Sequence, residues 1–174
     1  LDQYRVQEVA YGHAGFLGGN AWSSVPLAWL EYNLMSAVMP RYATAAVTRI
    51  EYERDGQWLD ASAVIRARGA APDAWNRVRV RYDGGLTVVA NQSETPLKVD
   101  GVELPRFGWF ARAEGFTAGT TVRNGVVTDS VETPASFFAN ARASADWDFS
   151  GVLRVSPTVM KFQQKIGRAS CRER

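Results

Sequence analysis

The sequence predicts a mainly β chain, an antiparallel β-sandwich preceded by one strand and one helix, and three observations carry that reading. In Arg77 to Tyr82 the apolar Val78, Val80 and Tyr82 alternate with Arg77, Arg79 and Arg81, the period of a half-buried strand. Turn residues that accept positive φ recur between such runs: Asp55-Gly56, Asp83-Gly84-Gly85, Asp100-Gly101 and Asn124-Gly125. After Ala45 at least seven short strands follow at regular spacing, which argues a sandwich rather than a repeating βα unit.

Taken in order, Arg5 to Gly12 is a short apolar segment, read as a strand, and a Gly-rich stretch from His13 to Asn20 follows as a loop. Ser24 is placed to cap a helix with Pro26 in its first turn, and Leu27, Leu30, Leu34 and Val38 then fall at helical spacing beside Trp29 and Tyr32. Pro40 lacks an interior donor, so the helix should stop or kink there. From Ala45 the period becomes two, with Val47, Arg49, Glu51 and Glu53 set against Thr48, Ile50 and Tyr52. A short helix over Ala61 to Ala67 is expected behind the cap Asp60. The Arg77 strand returns through Leu86, Val88 and Ala90, and Asn91, Ser93 and Pro96 mark a turn before a strand from Leu97. Strands over Trp109 to Ala113, on both sides of Asn124-Gly125, and over Gly151 to Val155 complete the set. The expected organisation is 1–44, 45–160 as the β domain, and a disordered tail over 161–174.

The last ten residues, Lys165 to Arg174, have no apolar period and resemble a DNA-sequencing adapter read in frame, so they are set aside as artefactual. Four basic residues and one acidic residue leave with them, and the net charge passes from +2 to −1. The alkaline balance therefore points to no nucleic acid. Cys171 also leaves, which removes any cysteine metal site, nucleophile or disulfide. With His13 the single histidine and no acids grouped at ligand spacing, neither a metal nor a cofactor is expected. Glu31, Asn33 and Arg41 interrupt the longest apolar stretch, well short of the roughly 20 residues a membrane helix needs. The chain opens on Leu1 inside what reads as a strand, so its true start is expected upstream.

The block from Tyr82 to Ala113 contains a strand ending in Asn91, a polar turn over Ser93 to Pro96, and then Leu104-Pro105-Arg106-Phe107-Gly108-Trp109. Together with Arg5 to Gly19 and the Val25 to Tyr42 helix, it resembles the C-terminal end of bacterial glycoside-hydrolase-like proteins built as a (β/α)8 barrel with a trailing β-sandwich. The resemblance covers roughly residues 4–140 and rests on structural motifs. It implies that 1–44 are the last strand, loop and helix of a truncated barrel, and that the missing barrel is their main packing partner. It further implies carbohydrate as the parent's ligand and an extracellular or periplasmic setting.

Glycoside hydrolysis uses two carboxylates about 5 to 10 Å apart, at the C-terminal ends of several barrel strands. One such strand is represented, so no activity is expected of this chain alone. The polar groups in or just after it, Glu8, Tyr11 and His13, are the candidates for substrate contact. On an extended segment Glu8 and Tyr11 have opposite parity, which favours Tyr11 and His13. Hydrogen bonding of either to buried loop backbone is the competing role. Gly15, Gly18 and Gly19 do not form a phosphate-binding pattern, and no nucleophile-elbow motif is present. Arg77, Arg79 and Arg81 read as a solvated basic face. Trp58, Trp75, Trp109 and Trp147 are core fillers or, if exposed, sugar platforms. Two function classes stay open: a truncated hydrolase whose sandwich buttresses the barrel, and a carbohydrate-binding or purely structural module. The first expects a large bare apolar patch on the Val25 to Val38 helix.

Overall fold

The computed structural model describes residues 1–14, 25–68, 71–143 and 152–155. The Gly-rich stretch beyond Ala14, the cap Ser24, Trp147 and the run 165–174 lie outside these residues.

The chain is mainly β. Strands β1 (Val47–Arg54) and β2 (Gln57–Leu59) close around Asp55-Gly56, both at positive φ (51° and 81°), as a two-residue primed turn requires. Strands β3 (Arg77–Tyr82) and β4 (Thr87–Asn91) follow, then the small hairpin β5 (Leu97–Val99) and β6 (Val102–Leu104). The remainder are β7 (Trp109–Ala113), β8 (Phe116–Arg123), β9 (Val126–Glu132), β10 (Phe137–Ala141) and β11 (Val152–Val155). All pair antiparallel in one sheet ordered β11-β10-β9-β8-β7-β4-β3-β1-β2, and the β5-β6 hairpin joins it through a single register pair, Glu103 with Val122. The pairing joins these strands into one curled antiparallel sheet.

Among the described residues four α-helices accompany it: α1 (Asp2–Tyr11), α2 (Val25–Met35), α3 (Met39–Ala43) and α4 (Ala61–Arg68). The segment Arg5 to Gly12, expected as a strand, is helical in α1. Val6, Val9 and Ala10 form its buried stripe at helical spacing, and Gly12 ends it at φ 68° with its N–H bonded back to the carbonyls of Glu8 and Val9. A side chain at Gly12 would also place its Cβ 2.8 Å from the Tyr82 hydroxyl. Pro40 does not kink a long helix: α2 ends at Met35, and Pro40 sits in the first turn of α3, where its missing N–H leaves nothing unpaired. Asp60 caps α4 as expected, its Oδ1 accepting from the Ala63 N–H at 2.7 Å.

The helices fill the inner face of the sheet. Leu30, Leu34 and Val38 are wholly buried in one core with Val6, Val9, Val80, Val88, Trp109, Ala111 and Phe138. Each such aliphatic side chain contributes about 1.5 to 3 kcal/mol. The stripe expected to stand bare is therefore covered by the chain's own sheet, and Leu27 is half-buried. What α2 leaves exposed is the opposite face, Val25, Trp29 and Tyr32. A second, smaller core lies on the outer face, where β5-β6 folds over Val89 and Phe110 with Leu97, Val99 and Leu104.

The Asn91 to Trp109 block is the joint that fastens this hairpin. Wholly buried Asn91 donates from Nδ2 to the carbonyls of Thr95 and Pro105 (2.9 Å each) and accepts from Ser93 Oγ at 2.7 Å. Its backbone N–H bonds the Gly108 carbonyl at 2.9 Å, and a Cβ on Gly108 would lie 2.5 Å from Pro105 Cδ. The Asn91-Gln92-Ser93 triplet is thus a structural turn whose amide is fully engaged, not an open glycosylation acceptor.

Candidate functional site

The inner corner at the end of α1 brings the three candidate residues together. Because the segment is helical, Glu8 and Tyr11 stand three residues apart on one face, so the parity argument against their co-operation does not apply. His13 follows the Gly12 cap, and its N–H bonds the Glu8 carbonyl at 2.9 Å. Its Nδ1 lies 3.8 Å from Glu8 Oε2, an ion pair when the imidazole is protonated, and its ring centroid is 6.0 Å from that of Tyr11. The His13 carbonyl accepts from the Tyr42 hydroxyl at 2.8 Å, which ties the loop to α3. Tyr42 stacks on Tyr82 at 6.3 Å, and Tyr52 meets Trp75 edge-on at 4.8 Å. Burial, reinforced by Tyr82 and Glu8, pushes the Tyr42 phenol upward, so it remains a donor throughout the physiological range. Burial also raises Tyr52, with a smaller contribution from Tyr11.

The side chains of Tyr11 and His13 are exposed, at 59% and 63%, and Glu8 is half-buried. The backbone of His13, not its imidazole, is what the fold uses. Val47 and Ile50, at the β1 end of the sheet, are also exposed. Chemically the corner offers one carboxylate, one imidazole and a phenol ring. Of the four tryptophans named from the sequence, the three among the described residues are not open platforms: Trp109 is wholly buried, Trp58 is half-buried under the Arg79 guanidinium, and Trp75 is engaged with Tyr52.

Two further clusters were not visible as such in the sequence. Between α1, α2 and the β9-β10 pair lies a sealed polar network. Asp129, wholly buried, accepts from Thr120 Oγ1 (2.8 Å), Asn140 Nδ2 (3.1 Å) and Arg142 Nε and Nη2 (2.9 and 2.6 Å). Arg142 also grips Asp2 with Nη1 and Nη2 at 2.6 and 2.9 Å. Arg5 bridges Asp2 at 2.8 Å and Glu31 at 2.8 and 3.1 Å. Burial would raise Asp129, but the Arg142 hydrogen bonds and the Arg5 charge outweigh it and hold the carboxyl below its ordinary value. Burial likewise works against the Arg142 charge, and its bonds to Asp129 and Asp2 reverse that effect. Two guanidinium groups meet three carboxylates here, and the buried network ties helices to sheet.

The second cluster is on the outer face. Glu51 accepts from Arg79 Nε and Arg81 Nε at 2.8 and 3.3 Å and forms an ion pair with Arg49, whose Nε lies 3.1 Å away. Burial works against its charge, but Arg79 and then Arg81 and Arg49 hold its carboxyl below the usual range. The alternation of arginines predicts their face, but the pairing of Arg79 and Arg81 with Glu51 and of Arg77 with Glu53 needs the β1-β3 register. No group of acids, histidines or cysteines among the described residues is arranged to hold a metal ion. No helix among them is long and apolar enough to cross a membrane. Comparison with known proteins finds no matching family, curated relative or solved structure.

Proposed function

We propose that the chain is the C-terminal part of a glycoside-hydrolase-like, carbohydrate-active protein, in which the β body is a structural accessory and the α1 corner faces the sugar. The observation that carries this reading is the convergence of Glu8, Tyr11 and His13, with the Tyr11 and His13 side chains presented outward and the half-buried Glu8 carboxylate beside them. An exposed ring stacks on the apolar face of a sugar, while a carboxylate and an imidazole bond its hydroxyls. The corner presents a single carboxylate among the described residues, so it lacks the acid pair hydrolysis uses. The chain alone binds without cleaving. In the parent, the exposed Val25, Trp29 and Tyr32 face of α2 is the seat for the missing barrel.

One observation favours a second reading, a purely structural module: the core stripe of α2 is already covered by the chain's own sheet. Titration of the ¹⁵N-labelled chain with neutral oligosaccharides decides between them. Carbohydrate contact predicts shifts confined to residues 8–14, lost in Tyr11→Ala and His13→Ala. An absence of shifts with every oligosaccharide assigns the structural module, and release of reducing ends by the pure chain overturns the claim that it does not cleave.

A further inference from the structure

We propose that the outer face carries a second site, a groove for an oxyanion group (carboxylate, sulfate or phosphate) on a small ligand, built on Arg79, Arg81 and Arg112. The strand registers set it up. Arg49 pairs with Arg81, Arg81 with Thr87, and Thr87 with Arg112, so one cross-strand row carries three arginines and a hydroxyl. Neighbouring strands are about 4.8 Å apart, which puts Arg81 and Arg112 about 10 Å apart across Thr87. Like charges opposite one another destabilise a sheet unless something neutralises them. Glu51 does so incompletely, since one carboxylate serves three guanidinium groups and each of these reaches it through Nε.

That geometry leaves terminal nitrogens over. A guanidinium has five N–H donors in a fixed fork, suited to two oxygens of one anion, and Nε accounts for a single donor. Arg112 is exposed, leans over the Phe110 ring at 5.4 Å from its centroid, and meets no acid among the described residues. The ring holds the fork without consuming its donors. The groove these groups line has a volume of about 360 Å³, and the tip of the β5-β6 hairpin closes one side. Asp100 and Glu114 stand on the rim and are paired with none of the three arginines among the described residues. They limit the net positive charge, which is why a compact anion gripped by forks fits better than a long polyanion attracted by field alone.

This site is independent of the α1 corner and of the carbohydrate reading. The test is titration of the ¹⁵N-labelled chain, in low-salt buffer, with inorganic sulfate, inorganic phosphate, trigalacturonate and uncharged maltotriose, following the Thr87 and Arg112 amides and the arginine Nε–H signals. Saturable shifts at these groups with the anions and none with maltotriose are expected. Tighter binding of trigalacturonate than of the inorganic ions assigns the oxyanion to an acidic sugar, and the reverse order assigns a free anion. Arg112→Ala should weaken binding roughly tenfold, the worth of one charge-assisted pair, and Arg112→Lys should restore only part of it. Glu114→Gln should tighten it. Equal response to maltotriose, no response to any anion, or unchanged affinity in Arg112→Ala would overturn the site. Tighter binding of a single-stranded oligonucleotide than of the small anions would overturn the ligand class.

Discussion

The two arginine clusters use the same chemistry to opposite ends. Around Asp129 the charges are sealed between helices and sheet, with Asp129 wholly buried and Arg5 and Arg142 1% and 3% exposed. Around Glu51 the acid is covered and two of its three arginines reach solvent, with Arg49 and Arg81 side chains 59% and 45% exposed against 11% for Arg79. The sealed set joins residues far apart in the chain, Asp2 with Arg142. The open set has more cations than its acid can satisfy. Under cover, acids in excess tie helices to sheet; at the surface, arginines in excess are what the proposed anion groove draws on.

Breaking the sealed set should have the larger effect. Asp129→Ala removes the acid at the buried centre of the network, leaving Arg142 to Asp2 and Arg5 to Asp2 and Glu31, and urea unfolding should show a loss of about 3 kcal/mol. A loss below about 1 kcal/mol would mean that water already reaches the network. The same acid contributes to the pH dependence, beside Glu51 and Glu53, whose carboxyls are also lowered by their arginines. Its folded pKa lies below the unfolded carboxylate value of about 3.9, so its stabilisation is complete above that value and is lost as the pH falls through the folded pKa. Stability should be flat from neutral pH to about pH 5 and fall steeply below about pH 4. Asp129→Ala should flatten the acid limb; an unchanged limb would assign it to other carboxylates.

The open set should respond more weakly and in a salt-dependent way. Glu51→Gln leaves three arginines in mutual repulsion, with a loss of about 1 to 2 kcal/mol in dilute buffer that shrinks in 0.5 M NaCl, roughly a Debye length of 4 Å. A salt-independent loss would show that Glu51 is as sealed as Asp129. Smallest of all, Arg112→Ala should leave stability within about 0.5 kcal/mol, which makes its binding effect readable without a folding correction.

Reading the sequence recovers most of the strands because their signals are local. Asp55-Gly56 and Asn124-Gly125 adopt the positive φ that their residue types favour, and the Arg77 to Tyr82 alternation survives as an outer and an inner face. The segment Arg5 to Gly12 misleads because its stripe of Val6, Val9 and Ala10 includes a buried arginine, Arg5, that no local rule places inside. Its burial depends on Glu31 and Asp129, contributed by another helix and a distant strand. The same reason hides the candidate site's geometry: Glu8, Tyr11 and His13 can be named from the sequence, but their shared face exists only because that segment is helical and Gly12 turns His13 back.

By itself, then, the sequence determined which residues turn, which alternate, and that the chain is mainly β, since each depends on dihedral preference and side-chain period within a few neighbours. Tertiary structure alone decided that the strands make one curled sheet closed over its own helices, that Asp2 meets Arg142, and that three arginines share Glu51. Those outcomes depend on strand register and on the neutralisation of charge at a distance, and neither leaves a local trace in the chain.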